Sequence, residues 1–548
     1  MADKNSLTYV NAVVSEVQRL ANLLPQNLFR QTTEEVTLNG YKIPAGTIIV
    51  PQISCVLYDE KIFPEPYKFK PERRYQIFMF FVVQYLMLNS AGNYLFTSFG
   101  GLYRSCRDEK TNLDAVKDVC VMVQSCPPNS SDILFHSLYE DRDFVCPNSG
   151  LPQHLQSLQA IGSGIGALLG GHAADQFGRK LITNTGAILM CIAGLLGAIS
   201  PNWTLLAVAM FGMGFSYGVL VDSSMTLASE SVGPKYRIVQ TLAFQWALAM
   251  QIAAFIAYVT GTWRMYLIVI NVAVIPALFL VPLWVESPRW LIQKRKYSKA
   301  AESLNVMSKW NGDSVTFSED DLKDIQLDKG NLKIYSIWHL FMTRKLFLYS
   351  MVMILSALTV ETTVAVIIFD VQTLAGNPFL NIALYGTLRL WVPLFIIFLE
   401  KYSSKIGRRS LFCTSQAFTT ICFFAFLLVP VNLEYRMMIK TVLALLAGIS
   451  NSSIFFTVYK QYSMELYPTL MRAMAVGAFG VIERIGGAMA PQLVHLSRTM
   501  WPGFGVLVAS VLALASLLAG WAILPETKNA TMPDTVSQEE KGIREESL

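Results

Sequence analysis

Apolar runs of about 20 residues, the length that crosses a bilayer as a helix, recur along the chain. They fall at 75–96, 151–170, 181–199, 205–228, 239–260, 265–285, 346–369, 379–399, 411–430, 437–458, 473–495 and 501–524. The twelve runs divide six and six around a polar stretch from Glu286 to Lys345. Two further polar stretches occupy 97–150 and the tail from Pro525. The pattern predicts an all-α polytopic membrane protein of twelve transmembrane helices in two six-helix halves. Residues 1–74 form a separate short α+β piece, followed by helices 1–6 (75–285) with a loop at 97–150. A central cytoplasmic segment (286–345), helices 7–12 (346–524) and a cytoplasmic tail (525–548) complete the expected layout.

Composition agrees with that layout. Only 15% of the 548 residues are charged and 53% are hydrophobic, against about 25% charged in soluble domains. Disorder, collagen and small disulfide scaffolds are excluded on the same figures. The net charge of +5 calls for no nucleic-acid partner, because Lys and Arg gather on cytoplasmic loops of membrane proteins. Segment 103–150 carries a net charge of −3, whereas the links after the second and eighth runs hold Arg179, Lys180, Lys401, Lys405, Arg408 and Arg409. Segment 97–150 is therefore expected outside the cell and both termini inside.

Four of the eight cysteines, Cys106, Cys120, Cys126 and Cys146, share that outer segment, where disulfides can form. Three pairings are open to them. Asn129-Ser130-Ser131 is a glycosylation sequon in the same segment, and the sequons at Asn202, Asn451 and Asn529 read as chance.

The two halves echo each other. Gly171-His-Ala-Ala-Asp175-Gln-Phe-Gly178-Arg179-Lys180 follows the second run, and Glu400-Lys-Tyr-Ser-Ser404-Lys-Ile-Gly407-Arg408-Arg409 follows the eighth. Glu230 and Arg237 after the fourth run are matched by Glu465 and Arg472 after the tenth. Gly171 and Gly178 are expected to permit a tight turn and close helix approach. Asp175 beside Arg179 and Lys180 offers charge pairs that form in one conformation and break in another. Glu230/Arg237, Glu286/Arg289 and Glu465/Arg472 are gating candidates of the same kind.

These motifs resemble a known family. Gly171 to Lys180 is similar to the major facilitator signature between helices 2 and 3. Glu286-Ser-Pro-Arg-Trp-Leu291, Lys309-Trp-Asn-Gly312, Glu465-Leu-Tyr-Pro-Thr469 and Leu524-Pro-Glu-Thr-Lys528 with Pro533-Asp-Thr535 resemble the organic cation, anion and zwitterion transporters (solute carrier family 22). The resemblance spans about Tyr75 to Thr535 and implies a twelve-helix, alternating-access carrier in the plasma membrane. Glu400 and Ser404 depart from the signature's Gly and Asp, which weakens the second latch.

The first 73 residues resemble something else. Glu16-Val-Gln-Arg19, Gly40 to Pro51 read as a hairpin with Gly46 near its turn, and Phe69-Lys-Pro-Glu-Arg73 are similar to a cytochrome P-450 fragment. That resemblance implies a structural Glu16–Arg19–Arg73 cluster. Phe99-Gly-Gly-Leu-Tyr-Arg104-Ser-Cys106 mimics the haem-thiolate loop but lacks glycine at Leu102 and Asp108. The fragment reads as a non-functional fusion or a mis-joined gene model near Arg73–Tyr75, with no haem and no other cofactor or metal expected.

Ionisable residues inside spans are costly and become functional candidates by default. Glu361, Arg389, Glu483 and Arg484 are so placed, with internal pairing, of Glu361 with Arg389 or of Glu483 with neighbours of Arg484, as the plain structural reading. Arg484 precedes Ile485-Gly486-Gly487, which resembles the helix-11 site where anion carriers have Arg and cation carriers have Asp. Tyr217, Gln245, Trp246, Tyr385, Trp391 and Phe395 lie mid-run and offer a wall for a flat ion or ordinary helix packing. Gly162, Gly164 and Gly166 suggest close helix contact. The expected activity is transport of amphipathic organic ions, anions preferred, with cations or zwitterions as the alternative. A non-transporting receptor or scaffold is the competing class, ahead of a haem monooxygenase. A small organic ion and membrane lipid are the expected partners; a counter-exchanged anion and the oligomeric state stay open.

Overall fold

The structure is a computed structural model. It describes residues 30–31, 36–38, 41–43, 48–49, 74–100, 135–138, 150–231, 245–280, 283–311, 316–323, 337–369, 376–402, 407–430, 433, 435–467, 469–501 and 503–527.

Each of the twelve apolar runs coincides with helix over most of its described residues. The first half holds α1 (Arg74–Gly100), α2 (Leu151–Phe177), α3 (Arg179–Ala198), α4 (Trp203–Ser231), α5 (Gln245–Thr260), α6 (Trp263–Val272) and α7 (Ile275–Leu280). Polar helices α8 (Pro288–Gln293), α9 (Tyr297–Asn311) and α10 (Glu319–Lys323) follow. The second half holds α11 (Arg344–Phe369), α12 (Pro378–Tyr402), α13 (Arg408–Leu428), α14 (Arg436–Ile449), α15 (Phe456–Glu465), α16 (Thr469–Thr499) and α17 (Phe504–Ile523). By length and composition, seven segments among the described residues suffice to cross a membrane, with α6–α7 and α14–α15 each counting as one.

Strands occur only ahead of these helices among the described residues. β1 (Arg30–Gln31) pairs antiparallel with β4 (Ile48–Ile49), and β2 (Val36–Leu38) with β3 (Tyr41–Ile43). The hairpin expected around Gly46 is corrected here, because β3 and β4 each pair with an earlier strand. Residues 39–40 therefore join the inner pair.

The chain packs as two compact units, the first made of Met1–Phe81, Met225–Ala243 and Trp284–Lys329. Within it, the Tyr75 backbone N–H donates to Asn311 Oδ1 (3.1 Å) and the Tyr75 hydroxyl accepts from Val285 N (3.0 Å). The Tyr75 and Phe78 rings pack on Trp310. Ser287 caps α8 by accepting from Trp290 N (3.2 Å), with Pro288 at the first helical position, where a missing N–H costs nothing. Trp290, Leu291, Ala300, Ala301 and Leu322 form the core of α8–α10. Ser318 and Asp321 make a reciprocal cap for α10, and the Ser318 side-chain and backbone donors hold the Asp321 carboxyl below its usual range.

The second unit, Val82–Ser224, Phe244–Leu283 and Gly330–Leu548, holds most of both halves. Small residues explain its close seams. A Cβ at Gly162 would stand 2.5 Å from the Phe211 carbonyl oxygen, and one at Gly166 would fall on the Phe215 backbone. Gly214 and Gly218 on α4 answer them against Gln159 and Ser163 of α2. Gly164 points elsewhere, 3.5 Å from Arg484 Cβ. Amides pin the first half: Asn93 and Asn271 exchange hydrogen bonds at 3.0 and 2.9 Å, and Gln159 donates to the Asn93 carbonyl at 3.0 Å.

The halves meet at one end, the end where α2 begins and α16 finishes. Ser157 Oγ donates to Ala488 O (2.8 Å), Gln492 Nε2 to Ser157 Oγ (2.9 Å) and Gln251 Nε2 to Thr387 Oγ1 (3.1 Å). Phe379 at the start of α12 stacks on Phe99 at 5.7 Å and takes the edges of Phe135 and Tyr258. Phe135 is held there because His136 pairs with the α5–α6 turn, its N–H donating to Gly261 O (2.7 Å).

Candidate functional site

A ring cluster of the first half is met by an arginine of the second. Tyr94 (α1), Tyr217 (α4) and Trp246 (α5) touch pairwise, with centroids 5.2, 5.9 and 6.2 Å apart. The Arg484 guanidinium reaches across from α16 to sit 5.1 Å from the Tyr217 ring centre. Asp222, one turn further along α4, and Glu361 on α11 both lie within electrostatic reach of that guanidinium. Gly486 and Gly487 make this possible. A Cβ at Gly487 would stand 3.2 Å from Glu361 Cγ and 3.4 Å from the Tyr94 hydroxyl, and one at Gly486 3.1 Å from Leu358 O. The Arg-Ile-Gly-Gly stretch thus lets α11 close on α16 with Glu361 and Tyr94 facing over bare backbone.

The other intramembrane charges sort around this centre. Glu483 pairs with Lys460 of α15 at 2.5 Å, and both groups lie within electrostatic reach of Asp222 and Glu361. Arg389 is half-buried and acts on Glu361 more weakly than Arg484 does. Glu361 thus stands within electrostatic reach of both Arg389, its expected partner, and Arg484. Asp222, Glu361, Glu483, Arg389, Lys460 and Arg484 balance in formal charge. An ion entering the cluster must displace one internal partner or be neutralised by it.

The remaining candidates scatter. Trp246 belongs to the ring cluster, and Tyr385 packs within the second half, its hydroxyl donating to Gly448 O (3.3 Å). Trp391 is 63% exposed and stands apart from the ring cluster. The Gln245 and Phe395 side chains lie outside the described residues. Next to the cluster, the helix between α14 and α15 widens at Ser450–Phe455 into a single π turn. Asn451 inside that turn is buried and donates to Val360 O (2.9 Å), so its sequon is closed to modification. A π turn frees backbone groups and commonly sits beside functional sites.

At the opposite end from the inter-half seam, Gly178 turns the chain from α2 to α3 with φ 117°, a conformation that excludes a side chain. Asp175 pairs with the buried Arg179 at 2.8 Å, and Arg179 Nη1 donates to Ala174 O. Gly171, in contrast, faces open space, so the close approach expected of it is not made there. In the second half, Glu526 takes over the N-terminus of α13: its two oxygens accept from Arg408 N (2.8 Å) and Arg409 N (3.1 Å). Glu465 meets Arg408 at 3.7 Å and accepts from Thr527 Oγ1 at 2.5 Å. The Arg472 side chain, Arg237 and Ser404 lie outside the described residues, as do the Glu400 side chain, Cys106, Cys120, Cys126, Cys146 and Asn129. Glu286 Oε1 accepts from Ser287 N (3.0 Å), Arg289 is exposed, and Glu230 and Lys180 are half-buried.

Three participants were missed from sequence. Asp222 lies inside the fourth run and is found by counting charges in every run. Lys460 falls two residues beyond the tenth run's expected limit. Tyr94 is one aromatic among many in the first run, with no local mark.

Residues 148–535 match the family model described as sugar (and other) transporter, which covers most of the chain. The chain belongs to that transporter family. Within it, mouse solute carrier family 22 member 2 is 30% identical over 413 residues, covering 74% of this chain and 72% of the relative. The fruit fly organic cation transporter-like protein is 25% identical over 463 residues, covering 81% and 77%. Membership of solute carrier family 22, and hence of the major facilitator transporters, follows. The xylose transporter XylE from E. coli, in its inward-open conformation, shares the fold with a TM-score of 0.60 at 16% identity, covering 83% of this chain and 98% of XylE. The protein is a multi-pass membrane transporter and not an enzyme.

The cytochrome P450 model matches residues 1–76. That match stops short of the stretch from Phe99 to Cys106. Phe99 is a buried residue of α1 stacked on Phe379, which does not fit a haem-binding loop.

Proposed function

We propose that this carrier moves amphipathic organic ions across the plasma membrane by alternating access, with organic anions preferred. The observation that carries the reading is Arg484, a guanidinium inside the membrane set against the Tyr217 ring beside Tyr94 and Trp246. The rings offer a face for a flat apolar body, and the guanidinium offers charge-assisted, bidentate contact to a carboxylate or sulfonate. Asp222 and Glu361 act as place-holders that neutralise Arg484 between substrates. Closure of the α2/α16 and α5/α12 seams at one end, with the signature links at the other, supports a single site opened alternately to the two sides. Positive charge on those links supports their cytoplasmic placement, both termini inside, and the 97–150 segment outside with Asn129 and the four cysteines.

A second reading has its own observation. Two carboxylates share the space around one guanidinium, and three aromatic faces suit a cation. A quaternary ammonium or a zwitterion would then be carried with Glu361 or Asp222 as counter-ion. Uptake into proteoliposomes of a labelled aryl carboxylate, a tetraalkylammonium and a betaine separates the readings. Saturable aryl carboxylate uptake that Arg484→Ala abolishes supports the first, and preloading with unlabelled anion tests exchange. Ammonium uptake that survives Arg484→Ala and fails in Glu361→Gln supports the second. Flux of none of the three leaves a non-transporting receptor.

A further inference from the structure

Two histidines face each other across the seam between the halves. His154 lies in the first turn of α2 and His495 in the last turn but one of α16, with ring centres 5.5 Å apart and planes at 57°. His154 is exposed and His495 half-buried, so both are reached from the aqueous side. The rings are also held in place. Gln492, itself bonded to Ser157 Oγ at 2.9 Å, meets His154 Nδ1 at 3.1 Å. Gly150 leaves room for His495, since a Cβ there would stand 2.6 Å from His495 Cε1 and 3.0 Å from Nδ1.

We propose that His154 and His495 form a binding site for a divalent transition metal cation of the zinc type, present only when the two halves are closed at this end. The geometry fits the metal. With Zn–N at about 2.0–2.1 Å and tetrahedral angles, two coordinating imidazoles have ring centres about 5 Å apart. The observed separation needs a shift of only a few tenths of an ångström. Gln492 supplies what metal-binding histidines need on the other nitrogen, a fixed partner. The Gln492 amide nitrogen stands at Nδ1; turning the amide so that its oxygen accepts from Nδ1–H leaves Nε2 of His154 as the ligand, and the Ser157 hydroxyl then swings from Ala488 O to that oxygen. Among the described residues no group of three or more His, Cys, Asp or Glu gathers anywhere. The described residues thus supply two imidazoles, and a site completed by water is weaker than a structural zinc centre.

The functional consequence follows from where the ligands come from. One imidazole belongs to each half, so separation of the halves at this end dismantles the site. A cation that binds one state only shifts the population toward it. Zinc would hold the carrier closed here and slow its cycle. The slowing rests on alternating access; the binding does not.

The test is titration of the purified full-length chain in nanodiscs with zinc chloride, followed calorimetrically. One zinc per chain is expected, with affinity at least about tenfold weaker in His154→Ala and in His495→Ala. The double variant should be no weaker than either single one, because each alone destroys the pair. His154→Asn and His495→Asn, checked for monodispersity, guard against a folding defect. Uptake by the native protein should fall with added zinc and uptake by the variants should not. Saturable zinc binding that is equal in native protein and variants, or none by the native protein, overturns the site. If none of the probe ions is transported, the titration still decides it.

Discussion

The Lys460–Glu483 pair is the sharpest place to test how the intramembrane charges support the fold. The ammonium and carboxylate are 2.5 Å apart, with side chains 25% and 14% exposed. At that separation and an effective dielectric constant of about 20, their gross attraction is about 7 kcal/mol. Desolvation offsets much of it, so the pair's net worth is small, whereas breaking it is costly. Lys460→Met leaves the Glu483 carboxylate uncompensated while it still acts on Glu361. The expected loss is about 3–5 kcal/mol, or roughly two to three and a half decades in the unfolding equilibrium. Glu483→Gln should cost less, because Lys460 also lies 5.4 Å from the Phe456 and Tyr459 rings and keeps those contacts. The double variant Lys460→Met/Glu483→Leu should recover most of the stability, since neither charge then remains buried alone. Reversible unfolding in mixed micelles measures all four proteins. Lys460→Met as stable as the native chain, or a double variant no more stable than Lys460→Met, would show that the two buried charges do not depend on each other.

Three other outcomes follow from the same geometry. Arg484→Lys should retain binding of an aryl carboxylate at reduced affinity while Arg484→Ala loses transport, because the ammonium keeps the charge without the planar fork; uptake kinetics check this. Gly166→Leu should abolish folding into a monodisperse carrier, since its Cβ falls on the Phe215 backbone, while Gly171→Ala should be neutral in open space; size-exclusion profiles distinguish them. Glu526→Ala should cost about 0.5–2 kcal/mol by uncapping α13, read as a lower denaturation midpoint.

The helices were legible because their signal is local. Twelve apolar runs separated by polar or turn residues suffice to place them, and each coincides with helix over most of its described residues. Gly162 and Gly166 were legible for a related reason: small residues one turn apart present bare backbone to a neighbour. Gly171 shows the limit, because spacing does not say which face of a helix meets another. The same limit separates Arg484 from Trp391. Arg484 carries its own physical flag, an ionised group in an apolar run, and it does enter the ring cluster. Trp391 carries none, and it stands exposed. Partner choice was least legible. Glu465 turns to Arg408 and Thr527, some 60 residues away in each direction, and Glu526 reaches back to α13. Such contacts depend on how helices converge at the membrane edge, which no period in the chain encodes.

The first 73 residues give the last prediction. Among the described residues their strands pair with one another, β1 with β4 and β2 with β3, in stretches of two or three residues. Two-stranded pieces of this length are marginal without a packed face, and ~73 residues bury too little surface to stand alone with ease. The carrier's own anchoring starts at Tyr75, whose backbone N–H, hydroxyl and ring hold Asn311, Val285 and Trp310. Deleting residues 2–73 should therefore leave a monodisperse carrier with unchanged uptake. Tyr75→Ala in the shortened chain should cost about 3–5 kcal/mol, the usual loss for a buried aromatic. Dispersity, unfolding midpoint and uptake of the two proteins are the readouts. A shortened chain that aggregates while retaining Arg74 and Tyr75 would make the leading piece part of the carrier's fold. An intact Tyr75→Ala protein would move the anchoring elsewhere on α1.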